Sequence, residues 1–173
     1  MRTFRSLGEM ESFLLGKVKM AVEFAQRKAF TEFNRYVYLY YDKWQPQVYE
    51  RTRQLLRSLS KTTIYGTGKG YGGVIYYDVN KMDYSRKNLH KIRHNGMWKH
   101  PYVHGVYSSD GKFINHGIPH LVLESAAHGI HPVRGGGVHK PETAIWDRPM
   151  EVLESRYKEI FKQAFNDAGL HVT

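Results

Sequence analysis

Nothing in the sequence interrupts a helix over residues 9–41. Leu14, Val18, Ala21, Ala25, Ala29, Phe33, Tyr36 and Tyr40 recur at three- and four-residue spacing and trace one apolar stripe. Lys17, Lys19, Glu23, Arg27, Lys28, Glu32 and Arg35 fall largely off it, and no proline intervenes. A helix of roughly 30 residues spans about 45 Å. That is long for a chain of 173 residues, so part of it is expected to project or to pack on another subunit. The end, Tyr36-Val37-Tyr38-Leu39-Tyr40-Tyr41, is apolar all round. Such a segment is buried on several sides or held in an interface, and its β-forming residues leave an extended strand open as the other reading.

The long helix ends before Pro46, because the residue preceding a proline avoids the helical region. A second helix is expected over residues 48–60, with Tyr49, Thr52, Leu56 and Leu59 on one side and Arg51, Arg53 and Arg57 elsewhere. Residues 61–79 read as an antiparallel hairpin: a strand over 61–65, a glycine turn over 66–72, and a strand over 73–79. Residues 80–119 show no period and form an extended basic loop. Within it, 101–107 and 112–115 can pair around the turn 108–111. A short helix over 120–127 ends at His128-Gly129, and 130–144 reads as a loop holding three consecutive glycines. Trp146-Asp147-Arg148-Pro149 opens a last helix over 147–168, with Asp147 as its cap and Gly169 as its stop. Met150, Leu153, Tyr157, Ile160, Phe161 and Ala164 are expected to face the core. One α+β domain over 1–173 follows: a long N-terminal and a C-terminal helix packed on a small antiparallel β-sheet, with a long basic loop or arm.

Catalytic signatures do not surface. Gly66, Gly68 and Gly70 alternate as in phosphate loops, but a strand follows where a dinucleotide fingerprint needs a helix. Lys69 precedes glycine rather than Ser or Thr, so the Walker pattern also fails. The absence of cysteine removes disulfides, thiolate chemistry and sulfur-ligated zinc. Ten histidines include His116 and His120 four apart, with His128, His131 and His139 beyond. No His-Glu-x-x-His accompanies them, so surface or interface histidines are the preferred reading over a metal site. Ser125, His128 and Asp147 can be assembled into a hydrolase triad, yet no Gly-x-Ser-x-Gly elbow positions them. The expectation is a non-enzymatic chain without cofactor or metal. No apolar run approaches a membrane span, and the first residues do not read as a signal peptide.

The net charge of +10 points to an acidic partner, nucleic acid first. The segment 84–107 interleaves cations with aromatics. It reads either as an arm that docks on a neighbouring subunit, which is preferred, or as a nucleic-acid-binding stretch. On the second reading Arg86, Lys87, Lys91, Arg93 and Lys99 would face DNA.

Trp44, Pro46, Tyr49, Arg51, Thr52, Leu55 and Ser58 resemble an aromatic-Pro-x-x-Tyr-x-Arg-Thr-x-x-Leu-x-x-Ser segment of the head–tail joining family of long-tailed bacteriophages, the neck, tail-completion or minor tail proteins. The hairpin around 73–79, the turn Ala127-His128-Gly129-Ile130-His131 and the opening Trp146-Asp147 follow in that family's order. The loop over 80–118 is longer and more basic than the family pattern. The resemblance implies an α+β fold and a structural virion protein, assembled in the host cytoplasm. It also implies a homo-oligomeric ring between the portal or head connector and the tail tube or tail terminator, in transient contact with DNA at most. Tyr36, Tyr40, Trp44, Tyr49, Arg51, Tyr84, Trp98 and Tyr102 are the residues expected at its interfaces. The alternatives are a nucleic-acid-binding protein using 84–107, and a histidine-ligated metal enzyme.

Overall fold

The computed structural model describes residues 3–43, 53–68, 70–82, 106–107, 113–114, 118–133 and 136–172. Helix α1 runs over Leu7–Lys43, a single helix of 37 residues. Ser6 starts it: its Oγ accepts from the Glu9 amide at 3.2 Å, while Glu9 Oε2 accepts from the Arg5 amide at 2.8 Å. The first bond is one half of a capping box, written in the sequence as Ser-Leu-Gly-Glu, and the second reaches the amide just before the cap. Then come α2 (Gln54–Ser58), β1 (Leu59–Lys61), β2 (Tyr65–Thr67), β3 (Gly70–Gly72) and β4 (Ile75–Tyr77). The remaining elements are β5 (Val106–Tyr107), β6 (Phe113–Ile114), α3 (Ile118–Ala127), β7 (Ile130–Val133), β8 (Gly136–His139) and α4 (Asp147–Asp167). Among the described residues the strands form four two-stranded pairs: β1 with β4, β2 with β3, β5 with β6 and β7 with β8. The architecture is α+β, with antiparallel strands between two long helices in the chain order.

The chain divides into two compact units: residues 1–32, 61–75 and 152–173 in one, and 33–60 and 76–151 in the other. In the first unit Ala21 and Ala25 of α1 meet Ala164 of α4 and Ala168 just beyond it, with Phe24, Ile160 and Phe165 packed alongside. Alanines four apart leave no side chain to hold two helices away from each other. The same unit holds the base of the β2–β3 hairpin. The Gln26 amide nitrogen, on a nearly buried side chain, donates to the Thr62 carbonyl at 3.1 Å and the Val74 carbonyl at 3.4 Å. Thr62 and Val74 also bond each other, backbone N–H to backbone C=O at 2.9 Å and Val74 N–H to Thr62 Oγ1 at 2.9 Å. A Cβ on Gly73, between β3 and β4, would stand 2.4 Å from Gln26 Nε2 and 2.8 Å from Ile64 Cδ1, so a side chain there would have to displace both.

In the second unit Val37, Tyr40, Leu55, Met82, Ala126 and Ile145 are the buried cluster, flanked by Tyr41, Leu56, Tyr77 and Leu123. The Tyr77 hydroxyl donates to the Ile145 carbonyl at 3.1 Å. Phe33 and Tyr77 pack their rings on Trp146, with centroids 5.1 and 6.5 Å apart.

Residues 36–41 are helical as the main reading has it, and the extended alternative falls, because Val37 and Tyr40 bury their side chains at helical spacing in one cluster. Several other expectations are corrected. The second helix shows Gln54–Ser58 among the described residues, and Leu59 and Ser60, expected in it, belong to β1. The glycine stretch 66–72 is strand on both sides of a two-residue connection, since Thr67 stands opposite Gly70 and Gly66 opposite Tyr71. The glycine-rich 130–139 is a hairpin rather than a loop, with Val133 opposite Gly136 and His131 opposite Val138. In both cases a glycine on one strand faces a larger residue on the other, and the backbone ladder rather than side-chain alternation makes the strand. On α4, Ala164 is buried as expected, but Tyr157 and Phe161 are exposed. On α1 the stripe is covered at Ala21 and Ala25, whereas Leu14 is exposed. The pairing of 106–107 with 113–114 follows the expected second hairpin.

Replacing Ala164 by Leu forces extra methylenes into the alanine contact. A loss of about 1–3 kcal/mol in urea unfolding is expected, against little change for the exposed Phe161→Leu.

Candidate functional site

The most constrained polar geometry lies in the second unit, where α3 ends, the β7–β8 hairpin closes and α4 begins. Gly129 ends α3 in the left-handed region at φ 71, and its N–H donates to the Ala126 carbonyl at 3.0 Å. The Ala126 carbonyl also accepts from Ile145 N–H at 3.0 Å, and the Ala127 carbonyl from Trp146 N–H at 3.3 Å. The last carbonyls of α3 are thus satisfied by the residues that lead into α4. Lys140 N–H donates to the Gly129 carbonyl at 2.8 Å and closes the hairpin. The Lys140 carbonyl in turn accepts from the Thr143 amide at 2.9 Å and the Thr143 hydroxyl at 2.8 Å, both on the 3-10 turn Pro141–Thr143.

This frame brings His128 against Asp147, with Nδ1 2.7 Å from Oδ2. An ionised carboxylate only accepts, so His128 Nδ1 carries the proton and Nε2 is left facing outward. His139 Nε2 lies 3.0 Å from the His128 carbonyl, which fixes its proton on Nε2 by the same reasoning. A histidine oriented by a carboxylate is one half of a general-base arrangement. The other half is missing among the described residues: no hydroxyl bonds His128 Nε2, and no three His, Asp or Glu side chains stand close enough to hold a metal. Of the Ser125, His128, Asp147 set read from the sequence, the structure brings together His128 and Asp147. Both are partly exposed, so the contact is an ordinary surface one in strength, about 0–1 kcal/mol.

Two of the interface candidates have described positions. Tyr36 and Tyr40 each keep only 8% of their surface exposed, and Tyr40 belongs to the unit's own core cluster. Both side chains are buried within this chain. The exposed tyrosine on that stretch is Tyr38. Trp44, Tyr49, Arg51, Tyr84, Trp98 and Tyr102 lie outside the described residues, as do Arg86, Lys87, Lys91, Arg93 and Lys99.

Two features escaped the residue-by-residue reading. One is the pair Leu7 and Met10, exposed on the first turns of α1, which carries the stripe read from Leu14 onward back to the start of the helix. Its signal was present, because a stripe longer than the helix it packs against must run past it. The other is the pairing within 66–72, which places Tyr71, read in a turn, in β3. Among the described residues no helix is long and apolar enough to cross a membrane. In comparisons with protein-family models, curated proteins and solved structures, the chain matches none.

Gly129 makes the corner sensitive. An added Cβ would stand 2.3 Å from the Lys140 carbonyl oxygen, at a φ that L side chains avoid. Gly129→Ala is expected to cost at least about 2 kcal/mol in chemical denaturation. Gly66→Ala, where nothing lies within 4 Å, should stay within about 0.5 kcal/mol.

Burial pushes the Tyr77 hydroxyl pKa well above its usual value near 10. Only the neutral phenol can donate to Ile145, so the native state holds this proton where the unfolded chain releases it. The contribution of Tyr77 is therefore intact below about pH 10 and is lost as pH rises beyond it. Tyr77→Phe should lower stability by about 1–2 kcal/mol at pH 7. The gap to the parent should narrow between pH 10 and 11 in urea titrations.

Proposed function

We propose that this chain is a structural assembly protein, a subunit of the ring that joins the head connector of a long-tailed phage to its tail. One observation carries the reading. Four segments follow one another in the order of the head–tail joining family: the aromatic-proline segment from Trp44 to Ser58, the hairpin before Asp78, the turn around Gly129, and Trp146-Asp147 at the start of the last helix. Three features of the fold support it. Gly129 is a left-handed helix stop that no side chain can replace without displacing Lys140, so the turn has a physical reason to be glycine. Trp146 is the ring on which Phe33 and Tyr77 converge, and Asp147 opens α4. The first turns of α1 expose Leu7 at 80% and, beside it, Met10, Leu14 and Leu15. Apolar side chains in a row on a helix are the kind of surface a closed ring of identical subunits covers.

The partners on this reading are further copies of the chain, a portal or head-connector protein, and a tail-tube or tail-terminator protein. The site of action is the virion. The His128–Asp147 pair is then a clasp between the end of α3 and the start of α4.

Light scattering of the purified chain, alone and with a connector protein, together with imaging of particles, tests the proposal. Rings or particle-bound subunits are the expected result. Met10→Glu combined with Leu14→Glu should abolish assembly and leave the far-ultraviolet circular dichroism of the subunit unchanged. A chain that is absent from purified particles and stays monomeric beside every connector and tail protein would sink the reading.

A further inference from the structure

The positive charge is not spread over the chain. Helices α1 and α4 together hold ten Lys and Arg and ten Asp and Glu, and cancel. Residues 51–109 hold eleven Lys and Arg against Asp78 and Asp83, which is nine of the ten net charges. From Arg51 to Tyr77 there is no acidic residue at all. A polyanion is therefore drawn to the middle third of the sequence rather than to its long helices.

Within that third, the first unit contains one described element shaped for contact: the β2–β3 hairpin. Its base is fixed. Gln26 holds both Thr62 and Val74, those two bond each other, and the Lys61 ammonium lies 5.5 Å above the Phe30 ring. Its far end is open. Sites for a Cβ on Gly66, Gly68 and Gly70 have nothing within 4 Å. Tyr65 lies across its strand partner Gly72, with ring atoms 3.5 Å from where a Cβ would stand, and 46% of the residue stays exposed. A two-stranded ribbon enters the major groove of a duplex. Tyrosine hydroxyls and lysines bond phosphate oxygens without reading sequence. Bare glycines let a phosphate approach the backbone closely.

We infer that the β2–β3 hairpin, with Lys61 at its base and Tyr65 on its side, is a contact element for the phosphate backbone of double-stranded nucleic acid. This goes beyond the assembly role and stands on different observations, apart from the choice of a duplex over a single strand, which rests on that role. Contact of this kind is independent of sequence and weakens with salt.

The test uses the full-length chain and a fluorescent 30-base-pair duplex of random sequence, read by anisotropy at increasing salt from 50 mM. Affinity is expected to fall linearly with salt on logarithmic axes. Gly68 is the decisive position, because it has a φ that side chains tolerate and open space around it. Gly68→Asp should weaken binding at 50 mM salt by about tenfold and Gly68→Lys should strengthen it, with the thermal transition unchanged. Lys61→Gln should lower the salt slope by about one unit. The inference is overturned by any of four results. These are no binding at 50 mM salt, a flat salt response, equal affinity for Gly68→Asp and Gly68→Lys, or polyglutamate competing as well as duplex, which would make the partner an acidic protein. Loss of binding only when Arg86, Lys87, Lys91, Arg93 and Lys99 are changed to Gln would move the contact off the hairpin and overturn it too. Particle incorporation is scored separately. Incorporated subunits that ignore DNA sink this inference alone, and subunits that bind duplex but never assemble sink the assembly role alone.

Discussion

No side chain can stand at position 129. The carbonyl of Lys140 occupies the place a Cβ would take, and the backbone there is left-handed. Much of the second unit follows from that close approach. Because the chain turns sharply at Gly129, the last carbonyls of α3 are free to accept from Ile145 and Trp146. Those bonds set Ile145 into the buried cluster and Trp146 against Phe33 and Tyr77. They also bring Asp147 to His128 and aim the Ile145 carbonyl at the Tyr77 hydroxyl. Within this set the Tyr77–Ile145 bond is part-buried, whereas the His128–Asp147 pair is exposed.

The long helices were legible from the sequence because a three-to-four spacing sustained over many residues has one physical reading. Ala21, Ala25, Phe33, Tyr36 and Tyr40 are on the buried side as that spacing requires. The glycine stretches were not legible as strands. Gly66, Gly70 and Gly72 carry no side chain to alternate, so the pattern that marks a strand is absent where the ladder is present. The same holds for Gly136 and Gly137. Boundaries failed where burial overrode propensity. Leu59 and Ser60 continue a helical pattern, yet both are buried in β1. Tyr36 and Tyr40 show why an aromatic residue is an ambiguous sign: a ring suits a partner's surface and the chain's own core equally well, and composition cannot choose.

The same ambiguity divides the candidate site. His128, Ser125 and Asp147 were an arbitrary set on sequence grounds, and folding turned two of them into a bonded pair without supplying the third member. What the fold added is the separation of charge from helix. Balanced helices carry the apolar contacts, while the excess cations lie in the connecting middle third. That third also carries packing, since Leu55, Leu59 and Met82 within it are buried.

Lys140 joins three parts of its unit at once. Its N–H closes the β7–β8 hairpin, its carbonyl holds Thr143, and its ammonium donates to the carbonyl of Lys43 at the end of α1, 3.3 Å away. A cation is favoured at that end of a helix, where the peptide dipoles leave partial negative charge. Acylating this amine would leave a donor in place but remove the charge, so the final turn of α1 would fray while the hairpin and Thr143 kept their hold.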